Sequence, residues 1–176
     1  MMKLKALCLI SLFAMGNAYA AETTVSINEA LATGAGQSLG SITISETEFG
    51  LLFTPNLKGL PANGVHGFHI HANGSCDPDE KEGKAVAALK AGGHFDPENT
   101  GVHLGPFDSK GHLGDLPSLV VNQQGVANYP VLAPRLKSIE QLKGKAIMVH
   151  AGGDNFSDQP EALGGGGARM ACGVIQ

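Results

Sequence analysis

The stretch that decides the fold reads Val65-His66-Gly67-Phe68-His69-Ile70-His71 and holds three of the seven histidines of the chain. Its alternation of apolar residues with histidines is typical of a β-strand, in which side chains two apart lie on the same side, with Cα atoms about 6.5 to 7 Å apart. His69 and His71 therefore share a face and are able to converge on one metal ion, since metal–nitrogen bonds are about 2 Å long. His66 has the opposite parity, so we expect it to face away from that site and to be structural.

Four more histidines follow, and three of them lie in a loop rich in Gly and Pro over residues 72–115. Three imidazoles and one carboxylate at intervals of nine, nine and three residues match a closed tetrahedral zinc set: His94, His103, His112 and Asp115. His69, His71 and His150 make an all-nitrogen set that suits Cu(II) and needs one more ligand. His94 is able to serve both metals, because an imidazolate has a nitrogen on each side.

The rest of the chain is predicted to be β-structure almost throughout. Short polar–apolar alternations and turn residues predict eight antiparallel strands, at residues 24–27, 41–45, 50–54, 65–71, 116–122, 126–132, 145–150 and 170–175. Residues 123–125 are expected to join two of them as a hairpin, and residues 138–142 to form one helical turn. The pattern indicates a sandwich or barrel. Its two long loops, 72–115 and 151–169, are expected to be functional, because structureless loops beyond about 12 to 15 residues usually are functional or disordered.

Residues 1–20 have the pattern of a secretory signal peptide. Lys3 and Lys5 precede an apolar run over residues 6–15, and Ala18-Tyr19-Ala20 forms a small-x-small cleavage site, so we expect cleavage after Ala20. A membrane anchor is disfavoured, because a spanning helix needs about 18 or more apolar residues. The sequence thus predicts an exported protein without a membrane anchor, whose working domain is residues 21–176.

Charge and cysteine content fit an exported protein. Cleavage of the signal peptide removes Lys3 and Lys5. The mature chain then has 10 basic residues instead of 12, against 16 acidic ones, and its net charge is −6 instead of −4. No basic patch indicates nucleic-acid binding. Cys8 leaves with the signal peptide, so Cys76 and Cys172 are expected to form one disulfide in an oxidising compartment; the alternative is two separate buried thiols.

The motifs together resemble one protein family. They are Gly67-Phe68-His69-Ile70-His71, Gly92-Gly93-His94-Phe95-Asp96-Pro97, His103 with Gly111-His112-Leu113-Gly114-Asp115-Leu116, Val149-His150-Ala151-Gly152-Gly153-Asp154-Asn155 and Gly167-Ala168-Arg169-Met170-Ala171-Cys172-Gly173-Val174-Ile175. This set resembles the copper/zinc superoxide dismutases, most closely their bacterial periplasmic branch, over essentially the whole mature chain. The resemblance implies an all-β fold, an eight-stranded antiparallel Greek-key β-barrel that is flattened like an immunoglobulin sandwich.

The resemblance also implies roles for individual residues. It implies one copper per subunit on His69, His71, His94 and His150, and one zinc per subunit on His94, His103, His112 and Asp115, with His94 bridging. Asp154 falls where the family has a carboxylate that links a copper-ligand histidine to a zinc-ligand histidine. Arg169 falls on the anion-guiding arginine. The second loop lacks the lysines that steer substrate in the eukaryotic branch, which leaves Lys58, Lys84 and Lys90 as candidates.

The implied activity is dismutation of superoxide to O₂ and hydrogen peroxide by a redox-cycling copper bridged to a structural zinc, protecting the exported compartment. The main alternative is an exported copper/zinc carrier or buffer without enzymatic activity, which would have no need of Arg169. A binuclear zinc hydrolase is a weaker alternative, because there is no His-Glu-x-x-His motif and no bridging carboxylate beside the strand histidines. We expect a homodimer, since Leu104 and Phe107 in the zinc-bearing loop have no strand periodicity to bury them.

Overall fold

Three long antiparallel strands begin the fold in the computed structural model, which describes residues 21–176. They are β1 (Glu22–Leu31), β2 (Gly34–Thr47) and β3 (Gly50–Leu57), paired in chain order. Buried apolar side chains such as Val25 and Ile27 alternate with more exposed polar ones, so one face of the sheet turns inward. The signal peptide expected at residues 1–20 lies outside the described residues.

The remaining strands are shorter, and the helical segments of residues 21–176 are single 3-10 turns. The strands are β4 (Val65–His66), β5 (Phe68–His71), β6 (Asp79–Lys81), β7 (Lys84–Val86), β8 (Leu119–Val120), β9 (Val131–Ala133), β10 (Lys145–His150) and β11 (Arg169–Ile175). The 3-10 turns are Leu89–Ala91, Ile139–Leu142 and Ala162–Gly165, the second at the turn expected over 138–142. In this part of the chain no helix is long and apolar enough to cross a membrane.

The main sheet is antiparallel and has the order β5-β10-β11-β1-β2-β3-β9. A second pairing joins β4 to β8, and the chain turns back between β8 and β9, where the Asn122 N–H donates to the Val126 carbonyl at 2.9 Å. β8 lies beside β4, which runs on into β5 at one edge of the main sheet, and β9 forms the other edge. The turn between β8 and β9 therefore brings the two edges together. Counting β4 with β5, eight strands surround the core, and the expected Greek-key barrel is confirmed.

Three of the expected strands are divided or shortened. The strand expected at 65–71 is divided at Gly67 into β4, which pairs with β8, and β5, which pairs with β10. At the division the Gly67 N–H donates to the Gly152 carbonyl at 2.8 Å. The strands expected at 116–122 and 126–132 shorten to β8 and β9, beside Pro117 and Pro130, which have no N–H to donate to a ladder. Their partners are β4 and β3, so they do not form a ladder with each other.

The core fills the barrel with side chains from both ends of the chain. Its fully buried members include Phe53 of β3 and Phe68 of β5. Their rings pack edge to face, with centroids 5.8 Å apart. Ile147 and Val149 of β10 belong to the same cluster. Full burial of such a side chain contributes about 1.5 to 3 kcal/mol. The strands that carry the first histidines are therefore fixed by the core immediately beneath them.

The first long loop is ordered and fastened at its base. The Ala72 N–H donates to the Gly93 carbonyl at 2.9 Å, and Cys76 forms a disulfide with Cys172 of β11. The expected disulfide is therefore confirmed. The loop also contains the β6–β7 hairpin, which the sequence did not predict, because its exposed residues are mostly charged and carry no apolar alternation.

Candidate metal centre

Six histidines gather where β5, the end of β10 and the first loop meet. β5 supplies His69 and His71, and β10 ends at His150. Isolated antiparallel bridges pair His71 with His94 and His69 with Asp115, so the loop lies directly along β5. The seventh histidine, His66, is buried but belongs to neither histidine group; its Nδ1–H donates to the His150 carbonyl at 2.9 Å.

The first group is made of four buried imidazoles whose candidate ligand atoms all lie within 4.8 Å of one another: His69, His71, His94 and His150. The His71 Nδ1–H donates to the Gly92 carbonyl at 2.8 Å, and the His150 Nδ1–H donates to the Gly167 carbonyl at 3.1 Å. These bonds fix the tautomer of each ring and leave Nε2 free to bind a metal. The two Nε2 atoms face each other at 3.3 Å.

The second group surrounds the carboxylate of Asp115, which is 2% exposed. His94 Nδ1 lies 2.8 Å from Oδ1, and His103 Nδ1 lies 3.0 Å from Oδ2. His112 Nδ1 lies 3.4 Å from Oδ1. All three rings are buried and present the same nitrogen, so three imidazoles and one carboxylate converge on a single small region.

His94 lies between the two groups and presents one nitrogen to each. Its Nδ1 faces Asp115, while its Nε2 is buried and has no hydrogen-bond partner. The ring centroid of His94 lies 5.1 Å from that of His71 and 5.3 Å from that of His103. His69 also lies within reach of both groups, but its Nε2 is bonded to Asp154, which leaves only Nδ1 for a metal. His94 is thus the imidazole with both nitrogens directed at a group.

Asp154 joins the two groups from the second loop. Its Oδ2 accepts from His69 Nε2 at 2.7 Å, and its Oδ1 accepts from His103 Nε2 at 2.8 Å. The Phe156 N–H also donates to Oδ1, at 2.7 Å. Such an outer carboxylate fixes the ring orientation and raises the basicity of the nitrogen on the other side of the imidazole.

Burial keeps the imidazoles of the first group neutral. Together with the neighbouring His94, it lowers the pKa of His69 to about 3 and that of His150 to about 4. Burial also lowers the pKa values of His71 and His94. A neutral imidazole has a free electron pair on one nitrogen, which is the form that binds a metal.

The second group has the opposite electrostatics, because it contains carboxylates. Burial alone would raise the pKa of Asp115, but the adjacent rings of His103 and His94 hold it well below its usual range. Burial alone would likewise lower the pKa of His103, yet Asp115 and Asp154 raise it to about 9. This arrangement of charges favours a cation in the group, whether that cation is a proton or a metal ion.

The buried polar atoms of this region fit two metal ions. Within residues 21–176, the buried side-chain nitrogens and oxygens that lack a hydrogen-bond partner are His66 Nε2, His69 Nδ1, His94 Nε2, His103 Nδ1, His112 Nδ1 and Asp115 Oδ2. All but the first point into one of the two groups. Leaving such atoms unpaired costs about 1 to 3 kcal/mol each, and metal bonds would satisfy them. The donor sets suit copper in the first group and zinc in the second.

Arg169 lies beside the first group. Its guanidinium donates to the carbonyls of Ala88 and Gly92, and the Gly92 carbonyl also accepts from His71. The positive charge of Arg169 helps to lower the pKa values of His71 and His150. A partly exposed cation is thus fixed close to the four imidazoles.

Comparison with known proteins agrees with this geometry. Residues 38–175 match the family model described as copper/zinc superoxide dismutase (SODC). The chain belongs to the copper/zinc superoxide dismutase family. It is 61% identical over 175 residues to Cu-Zn superoxide dismutase 2 of Salmonella typhimurium, an alignment that covers 99% of this chain and 100% of the relative.

Two solved copper/zinc superoxide dismutases are similar in structure. The enzyme from Brucella abortus gives a TM-score of 0.86 at 54% identity, and the monomeric enzyme from Salmonella enterica gives 0.80 at 63% identity. Each comparison covers 89% of this chain and 100% of the other. As a member of this family, the chain is an oxidoreductase, a superoxide dismutase whose cofactors are copper and zinc, as the resemblance implied.

Two charged residues near the superoxide dismutase site were not found from the sequence. Asp158 accepts from the His103 N–H at 2.8 Å, and Arg135 donates to the carbonyls of His112 and Gly111 at 2.9 and 2.8 Å. Both hold the backbone of the first loop from segments far away in sequence. The sequence gives no signal for them, because a contact to a backbone group requires no matching side chain.

Proposed function

We propose that this superoxide dismutase acts through two adjoining metal sites that share one histidine. In this proposal His69, His71, His94 and His150 hold one copper per subunit, and His94, His103, His112 and Asp115 hold one zinc per subunit. The observation that supports it is the position of the His94 ring. Its Nδ1 faces Asp115, while its Nε2 is buried among the other three imidazoles without a hydrogen-bond partner.

The reaction converts two superoxide anions and two protons into O₂ and hydrogen peroxide. Copper, when bound, supplies the one-electron chemistry, because it alternates between two oxidation states while one superoxide is oxidised and the next is reduced. The protein holds the imidazoles still through the Gly92 and Gly167 carbonyls and Asp154. His94 Nε2 is the buried atom placed to hold a proton when it is not bonded to copper. Zinc, when bound, would have no redox role and would hold together the residues of the loop around Asp115.

Arg169 is proposed to bind and orient the superoxide anion. Two backbone carbonyls hold its guanidinium close to His71, while the mature chain carries a net charge of −6. A fixed positive charge in a negatively charged protein attracts an anion to one place and raises its encounter rate. Arg169 also distinguishes the enzyme from the alternative of a copper/zinc carrier, which needs the ligands alone.

We further propose that the protein is exported and that residues 21–176 form its working domain. The N-terminal pattern of residues 1–20 supports cleavage after Ala20 and a periplasmic location. The Cys76–Cys172 disulfide agrees with an oxidising compartment. N-terminal sequencing of protein recovered from the periplasm is expected to begin at Ala21; an intact Met1 in a cytoplasmic fraction would contradict export.

A homodimer is proposed on the basis of Leu104 and Phe107, of which Phe107 is 72% exposed. Exposed apolar side chains close to one another often mark a protein interface. The similar structure from Salmonella enterica is described as monomeric, so a monomer is the alternative. Sedimentation at micromolar concentration is expected to give a species of twice the mature mass, and a single monomeric species would contradict the dimer.

The purified mature protein provides the direct test of the function. We expect one copper and one zinc per chain by elemental analysis, together with rapid removal of superoxide in a pulse experiment. Removal of copper should abolish the activity, and its return should restore it. A protein that binds both metals yet leaves superoxide unchanged would be the carrier.

A further inference from the structure

The partly exposed carboxylate of Asp158, in the second loop, joins the two long loops. Its Oδ2 accepts from the backbone N–H of His103 in the first loop at 2.8 Å, and its Oδ1 accepts from the N–H of Leu163 in its own loop at 3.0 Å. One carboxylate oxygen therefore holds the first loop, and the other holds a turn of the second. Hydrogen bonds from backbone N–H groups to an ionised carboxylate are among the stronger ones in proteins.

The bond to His103 continues a chain of contacts that ends at the candidate zinc position. The His103 ring is held at Nε2 by Asp154, and its Nδ1 faces Asp115 at 3.0 Å. Asp154 alone fixes the outer edge of the ring and leaves the backbone free to shift. Asp158 holds the backbone of the same residue, so the two carboxylates fix His103 at both ends.

The bond to Leu163 places the second loop over this pair. Leu163 has φ +55° and is followed by Gly164 with φ +74°, where an added Cβ would lie 2.0 Å from Asp154 Oδ1 and 2.9 Å from His103 Nε2. The backbone at Gly164 thus packs directly on the Asp154–His103 hydrogen bond. The Gly164 N–H donates to the Ser157 carbonyl at 3.0 Å, which closes the turn that contains Asp158.

We infer that Asp158 is a positioning residue for the zinc site, which keeps the Nδ1 of His103 directed at the metal by holding the backbone of His103 to the second loop. The inference depends on the proposed role of His103 as a zinc ligand. Asp158 itself contacts neither metal position. Outer partners of this kind typically contribute 10- to 100-fold to metal affinity.

The test is Asp158→Asn, which keeps the size of the side chain but leaves only one acceptor oxygen for two N–H donors. We expect zinc affinity, measured by competition with a chromophoric chelator, to fall about tenfold or more. Copper affinity should change much less, because His71 and His150 have other partners. Cobalt(II) bound in place of zinc should give a changed visible spectrum, which reports ligand geometry directly.

The matched control is Asp108→Asn in the first loop, whose carboxylate, among the residues that the structure describes, accepts only from the Lys110 N–H within its own turn. Its zinc affinity and cobalt spectrum should equal those of the wild type. Asp115→Ala serves as the second control, because loss of zinc there supports the zinc-site assignment independently. If Asp115→Ala loses zinc but Asp158→Asn matches Asp108→Asn, the positioning role is wrong and the proposed site survives; retention of zinc by Asp115→Ala would overturn the site on which the inference depends.

Hydrogen exchange on the wild-type protein gives a measurement that does not depend on a variant folding. The amides of His103 and Leu163 are expected to exchange at least tenfold more slowly than the Lys110 amide, because each donates to a carboxylate shared between two loops. Exchange of both at the rate of the Lys110 amide would contradict the inference.

Discussion

At the scale of single residues, the site depends on which nitrogen of each imidazole is already engaged. The carbonyls of Gly92 and Gly167 accept hydrogen bonds from the Nδ1 atoms of His71 and His150. The carboxylate of Asp154 accepts one from the Nε2 atom of His69. In each ring the other nitrogen remains for a metal. The protein therefore selects its ligand atoms by hydrogen bonds made one shell further out.

The role of Arg169 is tested by Arg169→Ala. Both metals should stay bound, because no ligand is removed, but superoxide removal should slow by about tenfold or more, since a fixed charge that focuses an anion changes encounter rates on this scale. Stopped-flow rates measure the effect. Lys137→Ala, which removes the same charge from an exposed side chain, is the control and should retain nearly the full rate.

Salt separates this electrostatic role from a structural one. Raising the ionic strength to about 0.15 M shortens the screening length to about 8 Å and should slow the wild type more than Arg169→Ala. Equal rates and equal salt dependence for the two proteins would show that Arg169 does not guide the anion, and would favour the carrier.

At the scale of elements, the second loop approaches the metal centre so closely that one position has no room for a side chain. Gly164 and Gly83 have nearly the same backbone conformation, with φ of +74° and +73°. An added Cβ at Gly164 would overlap Asp154 Oδ1, whereas at Gly83 it would meet nothing within 4 Å. The two glycines make a matched pair for testing this contact.

Alanine at either glycine forces a left-handed conformation on a residue with a Cβ, at a cost of about 1 to 3 kcal/mol. Both variants should therefore lose stability in urea, and Gly164→Ala should lose more, because its Cβ also overlaps Asp154 Oδ1. Only Gly164→Ala should also lose metal affinity, because it displaces the carboxylate that joins His69 to His103. Equal metal affinity in the two variants would argue against a role for Asp154 in holding both groups.

How far the sequence predicts these elements depends on the kind of contact involved. The shared face of His69 and His71 follows from strand parity alone, and the spacing of His94, His103, His112 and Asp115 indicates a metal set without any structure. The break at Gly67 does not follow, because it is caused by a change of strand partner between β4 and β5. The roles of Asp158 and Arg135 cannot be predicted either, because each side chain makes a hydrogen bond to a backbone group distant in sequence.

At the scale of the whole molecule, the disulfide joins the first loop to the last strand across 96 residues. Cys172 packs with Ala88, whose carbonyl accepts from Arg169, so the disulfide also steadies the segment that holds the guanidinium. One covalent bond therefore links stability to the position of the Arg169 guanidinium.

Replacing both cysteines, as Cys76→Ala with Cys172→Ala, should lower the free energy of unfolding by about 4 to 5 kcal/mol, because the disulfide restricts the unfolded chain. The midpoint of urea unfolding measures this loss against the oxidised wild type. The wild type treated with reductant should shift in the same direction. Coincident midpoints for the oxidised protein and the double variant would contradict a stabilising role.

We claim that two metal sites share His94 and are otherwise separate. The most direct measurement is the copper and zinc content of three variants after loading and dialysis. Asp115→Ala should lose zinc and keep copper, His150→Ala should lose copper and keep zinc, and His94→Ala should weaken both. Loss of the same metal from Asp115→Ala and His150→Ala, or unchanged content in His94→Ala, would contradict the claim.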